Sequence, residues 1–388
     1  MPWKETEKMD EKKKFIQEML KQSKPFKHLC AEYGISEKTG YKWKKRFMTD
    51  GNIGLFEQSR AAETHPNALS EDAIIDLIKL KTAHPYWGAK KLQELYRKAH
   101  PEMSTPSLSS VNRILAKADL VKKRRVKTVS PDSRRLHQRI LPKEVNDVWA
   151  IDFKGYWKSD GEICEPFTAR ELVSRKILCA KLMTSKKSDA VRAVMTDLFK
   201  KYGLPKVIRS DNGTPFASNS GILSLTALSA WWITLGIIPD RTEKGTPGQN
   251  GSLERMHADM AREIEGKISG GIKANQEVLD AWVEEYNSVR PNEAIGMKTP
   301  DEVFTVSERK YTGDYDGIQY PLGFETRKVI GTGEIVIKGI RVYVSYSLRG
   351  LNVGLKPIED NKYDVFLADF LLGTLDLTSC CFYPLENV

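Results

Sequence analysis

Cysteine is scarce in this 388-residue chain, and where it occurs it is poorly placed for metal or disulfide chemistry. The five are Cys30, Cys164, Cys179, Cys380 and Cys381, with no C-x-x-C pair among them. The six histidines add no paired ligand spacing, which argues against a zinc site. Adjacent Cys380 and Cys381 are a poor disulfide pair, so a reduced, intracellular setting is expected. The first residues, MPWKETEKMDEKKK, lack the apolar stretch of a signal peptide. A membrane-spanning run is missing too. No charge falls between Asp211 and Asp240, but Ser, Thr and Gly interrupt that stretch and Pro215 and Pro239 bracket it. A buried helix over Leu223–Leu235 and a short strand over Gly236–Ile238 are expected there. Finally, an acidic excess is absent from the first third. Residues 1–140 hold 30 Lys and Arg against 17 Asp and Glu, whereas the remainder holds 31 against 34. A positive field confined to one end points to nucleic acid.

The chain is too long for one ordinary core, and its pattern changes several times along its length. Residues 10–48 fit three helices, with Gly34 permitting a turn and Ser36 capping the third, Glu37–Phe47. That helix carries Lys38, Lys42, Lys45 and Arg46 around Tyr41 and Trp43. This is helix-turn-helix grammar, in which the second helix of the motif enters the major groove. The domain is placed at 1–60, with 51–69 as a linker. A second helical, winged-like unit over 61–120 ends in a helix starting at Thr105–Pro106 and carrying Asn112, Arg113 and Lys117. A basic linker over 121–144 follows. It contributes Lys122, Lys123, Arg124, Arg125, Arg134 and Arg135 as further DNA-binding candidates, and its grip on phosphates should weaken steeply with salt.

From Asn146, strands alternate with helices, giving a mixed α/β domain over 145–305. The tail, 315–388, consists of short alternating strands between Gly, Asn and Asp turns, the pattern of a small all-β barrel. The fold class is therefore multidomain: all-α units, an α/β core and an all-β end.

Three acids stand out in the central domain. Asp152 lies in WAIDFKG, inside an apolar strand where a charge is costly unless a cation compensates it. Asp211 ends the strand VIRS in RSDNGTPF, where it also suits a turn-former. Glu254, in GQNGSLERMH, lies in the first turn of a helix, where the helix dipole alone would favour a carboxylate. Carboxylates from three such ends can hold two magnesium ions. Two magnesium ions can activate an oxygen nucleophile and neutralise the leaving oxygen in phosphodiester chemistry. Asn212, His257, Lys154 and Arg255 are candidate supports, the last two as phosphate contacts.

These residues carry a family resemblance. The chain resembles the DDE-type transposases of bacterial insertion sequences with a retroviral-integrase-like core. The similarity rests on W-x-x-D-F-K-G at 149–155, R-S-D-N-G-x-x-F at 209–216 and Q-N-G-x-x-E-R-x-H at 249–257. The opening MPWKE, the helix-turn-helix, the H-P-x-W-G-A-x-K at 84–91 and the N-x-x-R-P at 287–291 extend it. The resemblance implies a ribonuclease-H-like core with Asp152, Asp211 and Glu254 as catalytic metal ligands. It further implies two Mg or Mn ions, cleavage at element 3′ ends, and transfer of the 3′-hydroxyl into double-stranded target DNA. Joining two ends implies a homodimer or higher homo-oligomer, working at the nucleoid in a prokaryotic cytoplasm. Three features depart from the family, one being that helical DNA-binding units stand where viral integrases carry a zinc-binding N-terminal domain. The Asp211–Glu254 interval is longer than the commonest one, and Asn292 follows Arg290–Pro291 where relatives usually carry His. Two other functions remain open to the sequence: a catalytically silent helix-turn-helix regulator, and a nuclease that hydrolyses without strand transfer.

Overall fold

The structure is a computed structural model that describes residues 8–57, 69–121, 140–218, 222–242, 251–313 and 318–385. The chain divides into two compact units, Met1–Ser70 and Glu71–Val388.

In the first unit, helices α1 (Lys8–Lys21), α2 (Phe26–Glu32) and α3 (Glu37–Asp50) enclose Phe15, Ile16, Leu29 and Trp43. The Ser36 hydroxyl accepts from the Thr39 N–H at 3.2 Å, the expected cap. The stretch expected to be linker from residue 51 instead begins with a 3₁₀ turn, Gly51–Leu55, which buries Leu55 completely in this core. A Cβ at Gly54 would lie 2.3 Å from the Arg46 carbonyl oxygen, so the turn closes against α3 only with glycine. Lys12 is buried, its ammonium 3.7 Å above the Trp43 ring and 3.2 Å from the Leu55 carbonyl.

The second unit opens with α4 (Glu71–Ala83), α5 (Ala89–Ala99) and α6 (Leu108–Lys117), packed around Leu77, Trp87, Leu92 and Val111. The cap of α6 is Ser107, which accepts from Ser110 N–H at 3.2 Å, so the helix starts later than Thr105–Pro106 suggests. These helices belong to the same compact body as the α/β core. Its sheet runs β5-β4-β1-β6-β7, formed by β1 (Val148–Phe153), β4 (Pro166–Glu171), β5 (Ile177–Leu182), β6 (Val207–Ser210) and β7 (Ile238–Arg241). Strand β1 is antiparallel to β4 and parallel to β6. A separate ribbon, β2 (Trp157–Ser159) with β3 (Glu162–Cys164), stands beside it.

Alternation in β1 explains why its apolar run is continuous: both faces are covered. Trp149 and Ile151 pack on the side of α7 (Ser188–Tyr202) and α8 (Ala227–Thr234). Val148 and Ala150 pack on the side of α9 (Gly251–Glu263) and α10 (Gly271–Ser288). The expected buried helix in the uncharged stretch is α8. It turns Leu228, Trp231 and Trp232 to the sheet, and Ala230 and Ile233 to the C-terminal core. Among the described residues no helix is long and apolar enough to cross a membrane.

After α11 (Pro300–Val303) come β8 (Glu325–Lys328), β9 (Glu334–Ile337), β10 (Ile340–Tyr343), β11 (Asn352–Glu359), β12 (Lys362–Leu367), β13 (Phe370–Asp376) and β14 (Cys381–Pro384). The expected all-β character is present, but among the described residues the sheet does not close into a barrel. It is an open β14-β13-β12-β11-β8 sheet with a β9–β10 ribbon. Closure is unnecessary for burial, because the ribbon and α8 cover its apolar side.

Candidate active site

Asp152 and Asp211 are brought together by strand register. Val148 pairs with Val207 and Ala150 with Arg209 in the parallel β1–β6 ladder. Two residues further along each chain stand Asp152, still on β1, and Asp211, the first residue beyond the end of β6. On the other side, Asp152 pairs with Thr168 of β4. Helix α9 lies over that face, anchored by buried Leu253, Met256 and Met260. Glu254 is exposed on its first turn.

The Asp152 side chain is 26% exposed. Burial pushes its carboxyl up to about 7, and the charges of Asp211 and Glu254 add to that rise. The Phe153 backbone hydrogen bond and the Lys186 charge oppose it. Asp152 thus senses both other acids as like charges. Among the described residues, however, no three His, Cys, Asp or Glu side chains close into a ready metal cage. The donor set nonetheless suits a hard divalent cation, since magnesium takes few protein carboxylates and keeps water or substrate oxygens for the rest.

Asp211 also forms the turn its sequence suggested: the Gly213 N–H donates to its Oδ1 at 3.1 Å. The Asn212 amide donates to the Thr242 carbonyl, tying the acid's loop to the end of β7. Phe216, 2% exposed, anchors the loop against Phe153 and Phe167. Arg209 of the same motif is structural, donating to Asp240 Oδ2 and the Ile140 carbonyl, both at 2.7 Å.

His257 stands between helix and sheet. Its Nδ1 is 4.0 Å from Asp152 Oδ2, and its Nε2 is 2.8 Å from Thr168 Oγ1. The Thr168 hydroxyl donates to the Asp152 carbonyl at 3.0 Å, which leaves its oxygen to accept from the His257 Nε2–H. Burial, helped by the Lys154 and Arg170 charges, holds this imidazole down to about 4, so it is neutral at pH 7.

The other candidates fare unequally. Lys154 was expected to meet phosphate. Its side chain is only 8% exposed and is paired with Glu265, so its ammonium is already engaged. Arg255 is exposed on α9. Lys38, Lys42 and Lys45 form an exposed i, i+4, i+7 stripe on α3, whereas Arg46 is half-buried with its guanidinium 5.3 Å from the Trp43 ring. Arg113 is exposed with Asn112 and Lys117 on one face of α6. Lys122, Lys123, Arg124, Arg125, Arg134 and Arg135 lie outside the described residues, as does the glycine-rich approach to Glu254 over 243–250.

Two motifs prove to be structural. Arg290, 4% exposed, pairs with Asp259 at 2.7 Å and with Glu263 at 3.1 Å, and Asn287 exchanges two 2.9 Å hydrogen bonds with the Ile177 backbone at the sheet edge. The segment from His84 docks the helical unit onto the core. His84 stacks on Trp87 at 4.0 Å and meets Glu285 Oε1 at 2.8 Å, while Lys267 donates to the Tyr86 hydroxyl at 2.8 Å.

Sequence reasoning missed Thr168, Arg170, Arg175 and Lys186. For Arg170 a signal existed, because it is a charge inside the strand PFTARE, every residue of which is buried.

Comparison with known proteins adds an independent line. An integrase core domain family matches residues 142–247 and a second integrase core family matches 235–300. A helix-turn-helix domain matches 11–62 and a homeodomain-like domain 39–115. The uncharacterised 31.7 kDa protein of insertion element IS407 from Burkholderia multivorans is 24% identical over 251 residues, 64% of this chain and 87% of that one. Among solved structures, the catalytic core of BIV integrase is 20% identical, with 41% of this chain and 93% of that chain covered and a TM-score of 0.31. The HTLV-2 integrase core in complex with magnesium is 14% identical, with 41% and 97% covered and a TM-score of 0.30. Those two TM-scores are too low to carry an inference.

Proposed function

We propose that this chain, a relative of the DDE-type transposases of bacterial insertion sequences with an integrase core and helix-turn-helix domains, cuts the 3′ ends of its element and joins them to target DNA. The observation that supports the proposal is that the β1–β6 register leads toward Asp152 and Asp211 and that the charges of Asp211 and Glu254 add to the rise in the pKa of Asp152.

Asp152, Asp211 and Glu254 would hold two divalent ions, Mg or Mn. Those ions would supply Lewis-acid activation of the attacking oxygen and neutralise charge on the phosphoryl group. The chain's own residues do the rest. Asp152 is carried by the central strand of the sheet and Asp211 by the turn that follows its neighbour β6. Neutral His257 fills the space behind Asp152 without bringing a competing positive charge. Asn212 and Phe216 fix the loop that carries Asp211.

The stripe of Lys38, Lys42 and Lys45 and the α6 face of Asn112, Arg113 and Lys117 would bind the terminal inverted repeats, with the basic run from Lys122 tracking their phosphates. Two ends must be held together for joining, so a homodimer or larger assembly on DNA is proposed, acting at the nucleoid.

The test is Asp152→Asn with a duplex carrying the repeats that border the coding region. Strand joining should vanish with magnesium while repeat binding persists. A variant that still joins strands overturns the mechanism. Pre-cleaved ends separate strand transfer from simple hydrolysis, since only the former yields a joined product.

A further inference from the structure

Helix α9 carries Glu254, and its first turn is held from β4. Arg170, 3% exposed, donates from Nη1 to the Ser252 carbonyl at 2.6 Å, from Nε to the Arg175 carbonyl at 3.1 Å, and from Nη2 to the Tyr286 hydroxyl at 3.0 Å. Arg175 Nη1 donates to the Ser252 hydroxyl at 2.7 Å. Two residues earlier on β4, Thr168 bonds His257.

Resting on the proposed function above, we infer that Arg170 and Thr168 are positioning residues that set Glu254 against Asp152, with Arg175 as their support. Thr168 and Arg170 share one face of β4, separated by about 6.6 Å of strand. Ser252 and His257 are five residues apart on α9, about 7.5 Å of helix. The two spacings match, so strand and helix are laced at two points, and Glu254 lies between them. The same two strand residues pair with Asp152 and Ala150 of β1. One strand therefore references both acids, although they lie about a hundred residues apart in the chain.

Packing alone does not account for this arrangement. A buried guanidinium bonded to neutral acceptors is costly, and a cation beside a helix N-terminus opposes the helix dipole. Arg175 adds to the cost by sitting at φ 67°, a conformation that ordinary side chains seldom adopt. The return is a fixed origin for the helix that carries the third acid.

The experiment uses the full chain and titrates Mn²⁺, followed by the paramagnetic resonance of the free ion and by the ion-induced rise in melting temperature. Arg170→Ala and Thr168→Val should each shift the Mn²⁺ midpoint upward about tenfold, as loss of a ligand's supporting partner does in other metal sites. Arg170→Lys, which keeps the charge but not the fork that reaches three acceptors at once, should recover part of that shift. If Arg170→Ala does not fold, Arg175→Ala and Ser252→Ala take its place, because each removes the Arg175–Ser252 hydroxyl bond that supports the same helix start while keeping the carbonyls that Arg170 grips. Variants that melt cooperatively and bind Mn²⁺ at the wild-type midpoint overturn the inference while leaving the proposed function intact. A wild-type protein that binds no Mn²⁺ overturns the proposed function, and the inference falls with it.

Discussion

Thr168 faces Asp152 across the antiparallel β1–β4 ladder, and its single hydroxyl serves both the Asp152 carbonyl, at 3.0 Å, and His257, at 2.8 Å. The acid is thus fixed from behind through its own backbone, and its carboxyl is left to face the other acids. That carboxyl is held near pH 7 by burial and by two like charges. The consequences run from stability to metal binding.

Asp152→Asn should stabilise the metal-free protein. A carboxyl whose folded pKa is raised favours folding below its unfolded value, and that contribution is lost as pH rises through about 7. Every pH unit separating the folded from the unfolded value is worth about 1.4 kcal/mol, so the ceiling is about 4 kcal/mol, and relaxation leaves on the order of 2. Melting curves at pH 5 and pH 8 without metal provide the check. The variant should gain on wild type most at pH 8 and by less than half as much at pH 5, since the loss runs from the ordinary value of 3.8 up to about 7. Added Mg²⁺ should reverse the order, because it stabilises only the protein that binds it.

Arg290→Ala should be among the most damaging single changes in the core. It removes the buried partner of Asp259 and Glu263, whose side chains are 9% and 11% exposed, and leaves them only the half-exposed Arg262 and, for Glu263, the Trp282 indole. Breaking a buried pair from one side costs about 3–5 kcal/mol. Arg255→Ala, at an exposed position on the same helix, should cost less than about 0.5 kcal/mol. Denaturant midpoints for the two variants, compared at equal slope, decide the matter.

Replacing Lys38, Lys42 and Lys45 together by Gln should weaken duplex binding in a salt-dependent manner. Each lost phosphate contact lowers the slope of log K against log salt by about 0.9, so a fall of up to about 3 is expected. An unchanged slope would place the DNA on another face of the domain. Arg46→Gln should change the slope little and the melting temperature more, since Arg46 lies against Trp43.

Trp87→Ala should loosen the α4–α6 unit from the core. The ring is 4% exposed, stacks on His84 and lies 5.7 Å from the Arg290 guanidinium. A loss of about 3–5 kcal/mol is expected for so large a buried side chain. Limited proteolysis should then cut faster in the 99–107 segment, most of which is already exposed in the folded protein.

The sequence exposed those parts of the site whose cost is local. Asp152 stood out because a charge in an apolar strand demands a reason. Arg170 obeys the same rule and was passed over, since an arginine near a strand end also suits a solvated tail, and its partner Ser252 lies 82 residues away. The partner of Lys154 was hidden for the same cause. Nothing in WAIDFKG shows that Glu265, 111 residues on, will take its charge. The closed barrel expected for the tail failed because burial there is completed by α8, an element the tail's own pattern cannot reveal.

The two-sided burial of α8 limits how this protein can be shortened. Ending the chain at residue 313, before the first tail strand, would leave Leu225, Ala230 and Ile233 without their cover, a greasy strip on an otherwise finished domain. The tail is thus a lid on the central domain's own interior as well as an appendage, and a trimmed version should come out sticky and associate with itself.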